Sequence, residues 1–382
     1  MKRTLLVDTN RAAVPIYYAL LNRGHEVWVV GNRPTETLAK LASNYVQLDY
    51  SKSEQLAAFV NENAFDYLVP GCTDLSYIVC SEINQGRFPG IDAPPNASAI
   101  NIKGAFRQVA DELGLPTPRT LTPQQAPDVQ AIIIKPEDSF SGQGVTVLHN
   151  ATPSKLIKAL ETARKASNSG GVIIEEYITG QLFSHSAFIC NGEVVADFIV
   201  QEDSTINPFT VDTSRVVEDF SQERLKSLRK NLLRLSSALK LRDGLMHTQF
   251  IVSGNRYWII EATRRCPGDI YSLLIEFSTG YPYAANYLAP FIGEAPLPRE
   301  GWAIKERITR HTATSYNGVT LWGFKFSVPV DIRLFVPLAT SGDFIAPSPY
   351  GRAGIFFFQS STNDEQERLY RTILDGNLYS LC

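Results

Sequence analysis

The sequence predicts a multidomain protein of α/β and α+β class: a doubly wound parallel sheet first, then a mixed, largely antiparallel region, then a β-rich C-terminal segment. Three observations carry this. Through the first 95 residues strand-like and helix-like blocks alternate, which implies crossovers and a parallel sheet. From Ala131 onward the β-rich runs meet at short polar turns, as hairpins do. The length, 382 residues, corresponds at about 150 residues per domain to two or three domains.

The elements follow in order. TLLVD is a short apolar strand, and VPIYYALLNRG a helix stopped at Gly24, a residue suited to the left-handed C-cap. EVWVVG is the second strand, SEQLAAFVNEN a helix and FDYLVPG a strand again, so Asp8-Thr9-Asn10 and Gly71-Cys72-Thr73-Asp74 stand at strand ends, where such sheets bind ligands. The turn DTNRAAVP has no glycine, which argues against a dinucleotide site. After a diproline connector one amphipathic helix is expected up to Gly114, ended by Pro116 and Pro118. AIIIKPEDSFSGQGVTVL reads as a hairpin, SKLIKALETARKA as a helix and GVIIEEYITG as a strand. LFSHSAFICNGEVVADFIV is a hairpin turning at Asn191-Gly192. A long helix, ERLKSLRKNLLRLSSALKL, leads to two strands in LMHTQFIVSGNRYWIIEA, and short β runs with a final helix close the chain.

Hydrophobic residues make up 44% and charged residues 20%, a globular balance. With 36 Lys+Arg against 39 Asp+Glu the net charge is −3, so no nucleic-acid partner is expected. No apolar run approaches the ~20 residues of a membrane span. Asp8 cuts short the apolar TLLV stretch, so no signal peptide is expected either. The five scattered cysteines lack CxxC spacing, which argues against zinc and disulfides and for a reducing, cytoplasmic setting.

Three motifs carry chemistry. Lys135-Pro136 precedes Ser139-Phe140-Ser141-Gly142-Gln143-Gly144-Val145. A lysine at the end of a buried strand beside a loop of glycines and hydroxyls suits an anionic ligand, though a hairpin with a flexible tip and a surface lysine reads the same way. It is not a Walker A loop. Glu175 and Glu176 close an apolar strand, either beside a bound base or as solvated acids. Glu261 ends the strand WIIEA ahead of Arg264 and Arg265; a buried carboxylate there needs a cation, whether arginine or a metal. No GxSxG elbow and no Ser/His/Asp or Cys/His grouping is evident. His247 is either a substrate contact or a core histidine.

In this order, over most of residues 1–300, the motifs resemble the ATP-grasp superfamily of carboxylate–amine ligases. The resemblance implies a pre-ATP-grasp domain over 1–95, an ATP-grasp domain over 96–300 with a lid at 131–190, and a substrate-binding β-rich part over 301–382. It implies ATP and Mg2+ as cofactors. Nucleotide contacts would come from Lys103 and Lys135, from Ser139, Ser141, Gly142, Gly144 and Val145 over the phosphates, and from Glu175, Glu176 and Ile178 at the adenine hinge. Glu261 matches the magnesium carboxylate of E-x-N-x-R, and Gln249 and Thr263 stand where that family has a second carboxylate and an asparagine. Arg265 matches the arginine that stabilises the acyl phosphate, so Arg265 and Lys135 are the expected catalytic residues. In G-x-E-x-S, Gly180 and Ser184 match but Leu182 replaces the glutamate.

The reaction so implied activates a small acid as an acyl phosphate for attack by an amine. RRCPGDIYSLLIEFSTGYP is similar to a stretch of amino-acid ligases, which favours a small amino or carboxylic acid. The rivals are a bicarbonate-activating carboxylase and a non-catalytic nucleotide binder. The expected partners are the small-molecule substrates, with room for a homodimer.

Overall fold

The computed structural model describes residues 1–138, 142–299 and 303–382. The N-terminal part runs β1 (Arg3–Val7), α1 (Val14–Leu21), β2 (Glu26–Gly31), α2 (Thr37–Leu41), β3 (Asn44–Gln47), α3 (Ser53–Glu62), β4 (Tyr67–Pro70) and α4 (Asp74–Asn84). Its four strands form a parallel sheet in the order β3-β2-β1-β4. Leu5, Leu6, Val7, Val29, Val30, Leu68 and Val69 are all buried, as in a parallel sheet covered on both faces. β3 and α2 were not apparent in the sequence because each is short and carries no apolar run. The β1 and β4 ends are stitched together: Asp8 accepts from the Asn10 and Cys72 backbone N–H groups at 2.9 and 2.8 Å.

The connector is two helices, α5 (Pro94–Asn101) and α6 (Lys103–Glu112), rather than the single one expected. Ile102 lies between them in extended conformation, φ −96° and ψ 121°, and so breaks the helix. Next come β5 (Ala131–Pro136), β6 (Thr146–His149), α7 (Pro153–Ala166) and β7 (Val172–Glu176), a three-stranded antiparallel sheet in the order β6-β5-β7. Leu156, Ala159 and Ala163 of α7 pack on Ile132, Ile134 and Ile174 to give it a small core of its own.

The remaining elements are β8 (Gln181–Cys190), β9 (Glu193–Asp203), β10 (Thr213–Val216), α8 (Gln222–Ala238), β11 (Gly244–Ser253), β12 (Arg256–Thr263), α9 (Tyr271–Thr279), α10 (Tyr283–Leu288), β13 (Arg307–Ala313), β14 (Val319–Thr320), β15 (Phe324–Phe326), β16 (Asp331–Pro337), β17 (Phe344–Ile345), β18 (Gly354–Ser360), α11 (Asn363–Leu374) and β19 (Tyr379–Leu381). Eight of these strands form one antiparallel sheet, β12-β11-β8-β9-β10-β13-β18-β16. Two expected boundaries therefore move. Residues 181–190 do not belong to the lid: the Asn191-Gly192 hairpin pairs β8 along β9, and β11 takes its other edge. The segment after 301 is not a separate layer, since β13, β18 and β16 extend the same sheet.

One face of the sheet is closed by α8, whose Leu225, Leu228, Leu232 and Leu235 recur at helical spacing and pack on Ala187, Ile189, Ile199, Met246, Phe250 and Ile259. The other face turns toward α9, α10 and the N-terminal sheet, joined by Phe188, Phe198, Val200, Tyr271, Leu274 and Tyr283. Among the described residues no helix is long and apolar enough to cross a membrane.

Candidate functional site

Gln249 and Glu261 lie on the face of the large sheet opposite α8. Register places them. Gln249 of β11 pairs with Glu261 of β12 on one side and with Ser184 of β8 on the other. One step along, Leu182, Glu202, Ser214 and Arg310 face one another across β8, β9, β10 and β13. Side chains two residues apart share a face, so Glu261, Gln249, Ser184, Glu202, Ser214 and Arg310 form a polar track running across the sheet from β12 to β13. The register slips between Gln249 and Phe250, a bulge that leaves Ile260 unpaired. The Ile260 carbonyl accepts from Arg107 Nη2 at 2.7 Å.

Along this track Glu261 is half-buried and its carboxylate makes no hydrogen bond or ion pair among the described residues, although its charge reaches Lys135, Glu202 and Arg265. Glu202 is buried, and its Oε2 accepts from Gln249 Nε2 at 2.6 Å. Burial pushes the Glu202 carboxyl up to about 7 against the hydrogen bonds from Ser184 and Gln249, with Arg310 lowering it and Glu261 raising it. An open carboxylate beside an amide and a second carboxylate is the all-oxygen donor set that suits a hard divalent cation. No cluster of three or more His, Cys, Asp or Glu able to hold a metal occurs among the described residues, so phosphate and water oxygens would have to complete any coordination sphere.

The lid side carries the cations. Lys135 ends β5 and is ion-paired with Glu175 of β7, and Arg107 of α6 pairs with the same carboxylate. Glu175 is buried, which pushes its carboxyl up, but Lys135 and Arg107 together hold it low. Burial lowers the Lys135 ammonium, and Glu175 opposes that shift. Of the alternatives the sequence left open, Lys135 is not a surface lysine and the Glu175 carboxylate is not a solvated acid, since two cations engage it. Glu176 is likewise engaged, accepting from the Arg119 N–H at 3.0 Å. At the hinge the Tyr177 N–H donates to Ala131, whereas the Ile178 N–H meets no backbone carbonyl among the described residues. Lys103 opens α6 with Nζ 3.4 Å from the Glu137 carbonyl at the end of β5.

Ser139 and Ser141 lie outside the described residues. Gly142 and Gly144 adopt φ of +68° and +73°, and close approach demands glycine at both: a Cβ would meet Phe209 Cβ at 2.7 Å in the first case and Pro136 Cγ at 2.9 Å in the second. The Val145 N–H turns back to the Gly142 carbonyl at 3.4 Å.

Arg265 does not pair with Glu261. Its Nε and Nη2 hold Asp74 at 2.8 and 3.3 Å, across to the β4 end of the N-terminal sheet. Thr263 is buried, with its hydroxyl 2.6 Å from Asn101 and 3.0 Å from Asp74 at the junction between the two sheets. His247 pairs in register with Thr263 on the same face, with Nδ1 3.0 Å from the Ser186 hydroxyl. Burial, aided by Arg265, pushes its imidazole down to about 3, so the ring is neutral.

Sequence reasoning missed Glu202, Arg107, Arg310 and Arg352. Glu202 had a signal: Ala196, Phe198 and Val200 define the inward face of β9, and Glu202 continues it. Arg310 and Arg352 had none. They meet at Asp269, Arg310 on its carbonyl at 2.9 Å and Arg352 on its carboxylate at 2.6 Å. Asp269 and Ile270 follow each other at φ of +55° and +57°, a strained pair for non-glycine residues beside the site.

The ATP-grasp domain family model matches residues 129–272. An L-amino acid ligase from Bacillus licheniformis superposes with a TM-score of 0.77 over 100% of this chain and 99% of the ligase; at 17% identity the likeness is one of fold. Among curated relatives, the carbamoyl phosphate synthase large chain of Methanospirillum hungatei is 23% identical over 53% of this chain but only 18% of its own length. A formate-dependent phosphoribosylglycinamide formyltransferase of Prochlorococcus marinus is 25% identical over 69% of each chain.

Proposed function

We propose that the protein is an ATP-dependent ligase that activates a small carboxylic or amino acid as an acyl phosphate and joins it to an amine. The observation that carries this reading is that Lys135, at the end of the lid strand β5, lies within electrostatic reach of Glu261, whose carboxylate has no direct partner among the described residues. Such an arrangement is complementary to a polyphosphate neutralised on one side by a cation.

ATP and Mg2+ are the cofactors. Glu261 and the Gln249 carbonyl oxygen would hold the metal, which when bound neutralises charge between the β- and γ-phosphoryl groups. Lys135 and the N–H groups around Gly142 and Gly144 bind the phosphates. Lys103 closes on them from α6, and the backbone near Ile178 reads the base. The acid's oxygen attacks the γ-phosphorus and the bond to ADP breaks. The amine nitrogen then attacks the acyl carbon, loses a proton, and inorganic phosphate leaves. Arg265, positioned by Asp74, stabilises the anionic charge of both steps with its planar fork. In this reading the domains divide near residue 95, with 131–176 as the lid and the strands after 301 extending the large sheet.

The test is a phosphate-release screen over pairs of amino and carboxylic acids with ATP and Mg2+. Release that needs one acid and one amine together, with an amide product by mass, is the expected result. Release that needs bicarbonate alone would move the protein to the carboxylating class. Nucleotide binding with no substrate-dependent release would make it a binder.

A further inference from the structure

We propose that Glu202 acts as a positioning residue of the cation site, returning through Gln249 the negative charge that an amide at position 249 lacks. The inference rests on the metal reading of Glu261 given above.

Three observations support it. Gln249 lies directly between its ladder partner Glu261 and the Glu202 carboxylate, to which its Nε2 donates at 2.6 Å. A carboxylate accepting from the nitrogen fixes the amide flip, so the carbonyl oxygen is turned off Glu202 and polarised. Glu202 is buried and forms no ion pair among the described residues, and across β8 it faces Leu182, which brings no competing charge. A buried carboxylate whose donors are the Gln249 amide and the Ser184 hydroxyl, with no cation in contact, is costly as a structural device alone. It becomes favourable when a cation sits on the far side of the amide. In Q249E a carboxylate would face Glu202 at hydrogen-bond distance.

The experiment reads binding rather than turnover. Wild type, E202Q, Q249E, E202Q/Q249E and E261Q are titrated with Mn2+·ADP while water-proton relaxation reports immobilised manganese, and melting midpoints are recorded alongside. E202Q keeps an acceptor for the Gln249 N–H and loses only charge, so its midpoint should stay near wild type while Mn2+·ADP binding weakens about tenfold or more. Q249E alone should melt lower than wild type, because two carboxylates then meet. E202Q/Q249E restores one carboxylate facing one amide and should recover both midpoint and binding. Wild-type binding by E202Q, with E261Q impaired, would overturn the role of Glu202 and leave the metal reading standing. A double variant no better than E202Q would overturn it too. Wild-type binding by E261Q, or no ternary complex with the wild type, would remove the metal reading and this inference with it.

Discussion

The two faces of the eight-stranded sheet both bury carboxylates, and they treat them differently. Behind the sheet, Asp197 is closed on all sides: Arg229 of α8 holds both its oxygens at 2.6 and 2.7 Å, and the His185 ring nitrogen lies 2.9 Å away. In front, Glu202 meets only an amide and a hydroxyl, and the Glu261 carboxylate meets no direct partner among the described residues. The same strands carry both sets, since alternate residues of β8 and β9 point to opposite faces. A buried charge that its own fold neutralises serves stability. One that the fold leaves open has a use only when something else binds, and the cations that could compensate it, on Lys135 and Arg265, are already tied to Glu175 and Asp74.

This contrast predicts that substitutions in front change function at little cost in stability, and that substitutions behind do the reverse. The largest effect is expected from Glu261→Gln, which should nearly abolish substrate-dependent phosphate release while leaving the melting midpoint close to wild type; retention of the wild-type rate and magnesium midpoint would break the comparison. Arg265→Ala should lower turnover by about 10²-fold or more with ATP affinity nearly intact, as for a donor that acts as charge develops. If at least half the turnover survives, Arg265 is only the tether of Asp74. Lys135→Ala should weaken ATP binding by ~1.5–3 kcal/mol by calorimetry, the scale of a charged hydrogen bond. Unchanged affinity would leave Lys135 as a structural partner of Glu175.

The smallest effect concerns the closed face. Burial alone would raise the Asp197 carboxyl, but the hydrogen bonds from His185 and Arg229 pull it down to about 2. A folded-state value below the unfolded one contributes stability that is present above the unfolded value and lost as pH falls through the folded one. Melting midpoints should therefore decline between about pH 5 and pH 2, by the equivalent of roughly 2 kcal/mol for a carboxyl held this far below its unfolded value. Asp197→Asn should flatten that part of the profile and leave phosphate release at neutral pH unchanged. An unaltered acid limb would show that the pair contributes nothing.

Local rules were enough to read much of this protein from its residues. Apolar runs with β-branched residues marked most strands, Asn191-Gly192 set a hairpin, and leucines at helical spacing on α8 announced the face it would cover. Lys135 with its glycines, and Glu261 at a strand end, stood out because a charged residue closing an apolar strand is a local anomaly. The pairings were a different matter. Arg107 finds Glu175 68 residues away, Gln249 finds Glu202 at a separation of 47, and Arg265 finds Asp74 at 191. Nothing within a window of neighbours distinguishes a glutamate that will be neutralised from one that will be left open. That depends on strand order and register, because a shift of one residue would carry Glu202 to the face of Asp197. By itself the sequence determined most of the elements, the charged strand ends and the resemblance they carry. The tertiary structure alone decided which charges are closed and which face the cleft, since long-range electrostatics follow from where the sheet brings distant residues together.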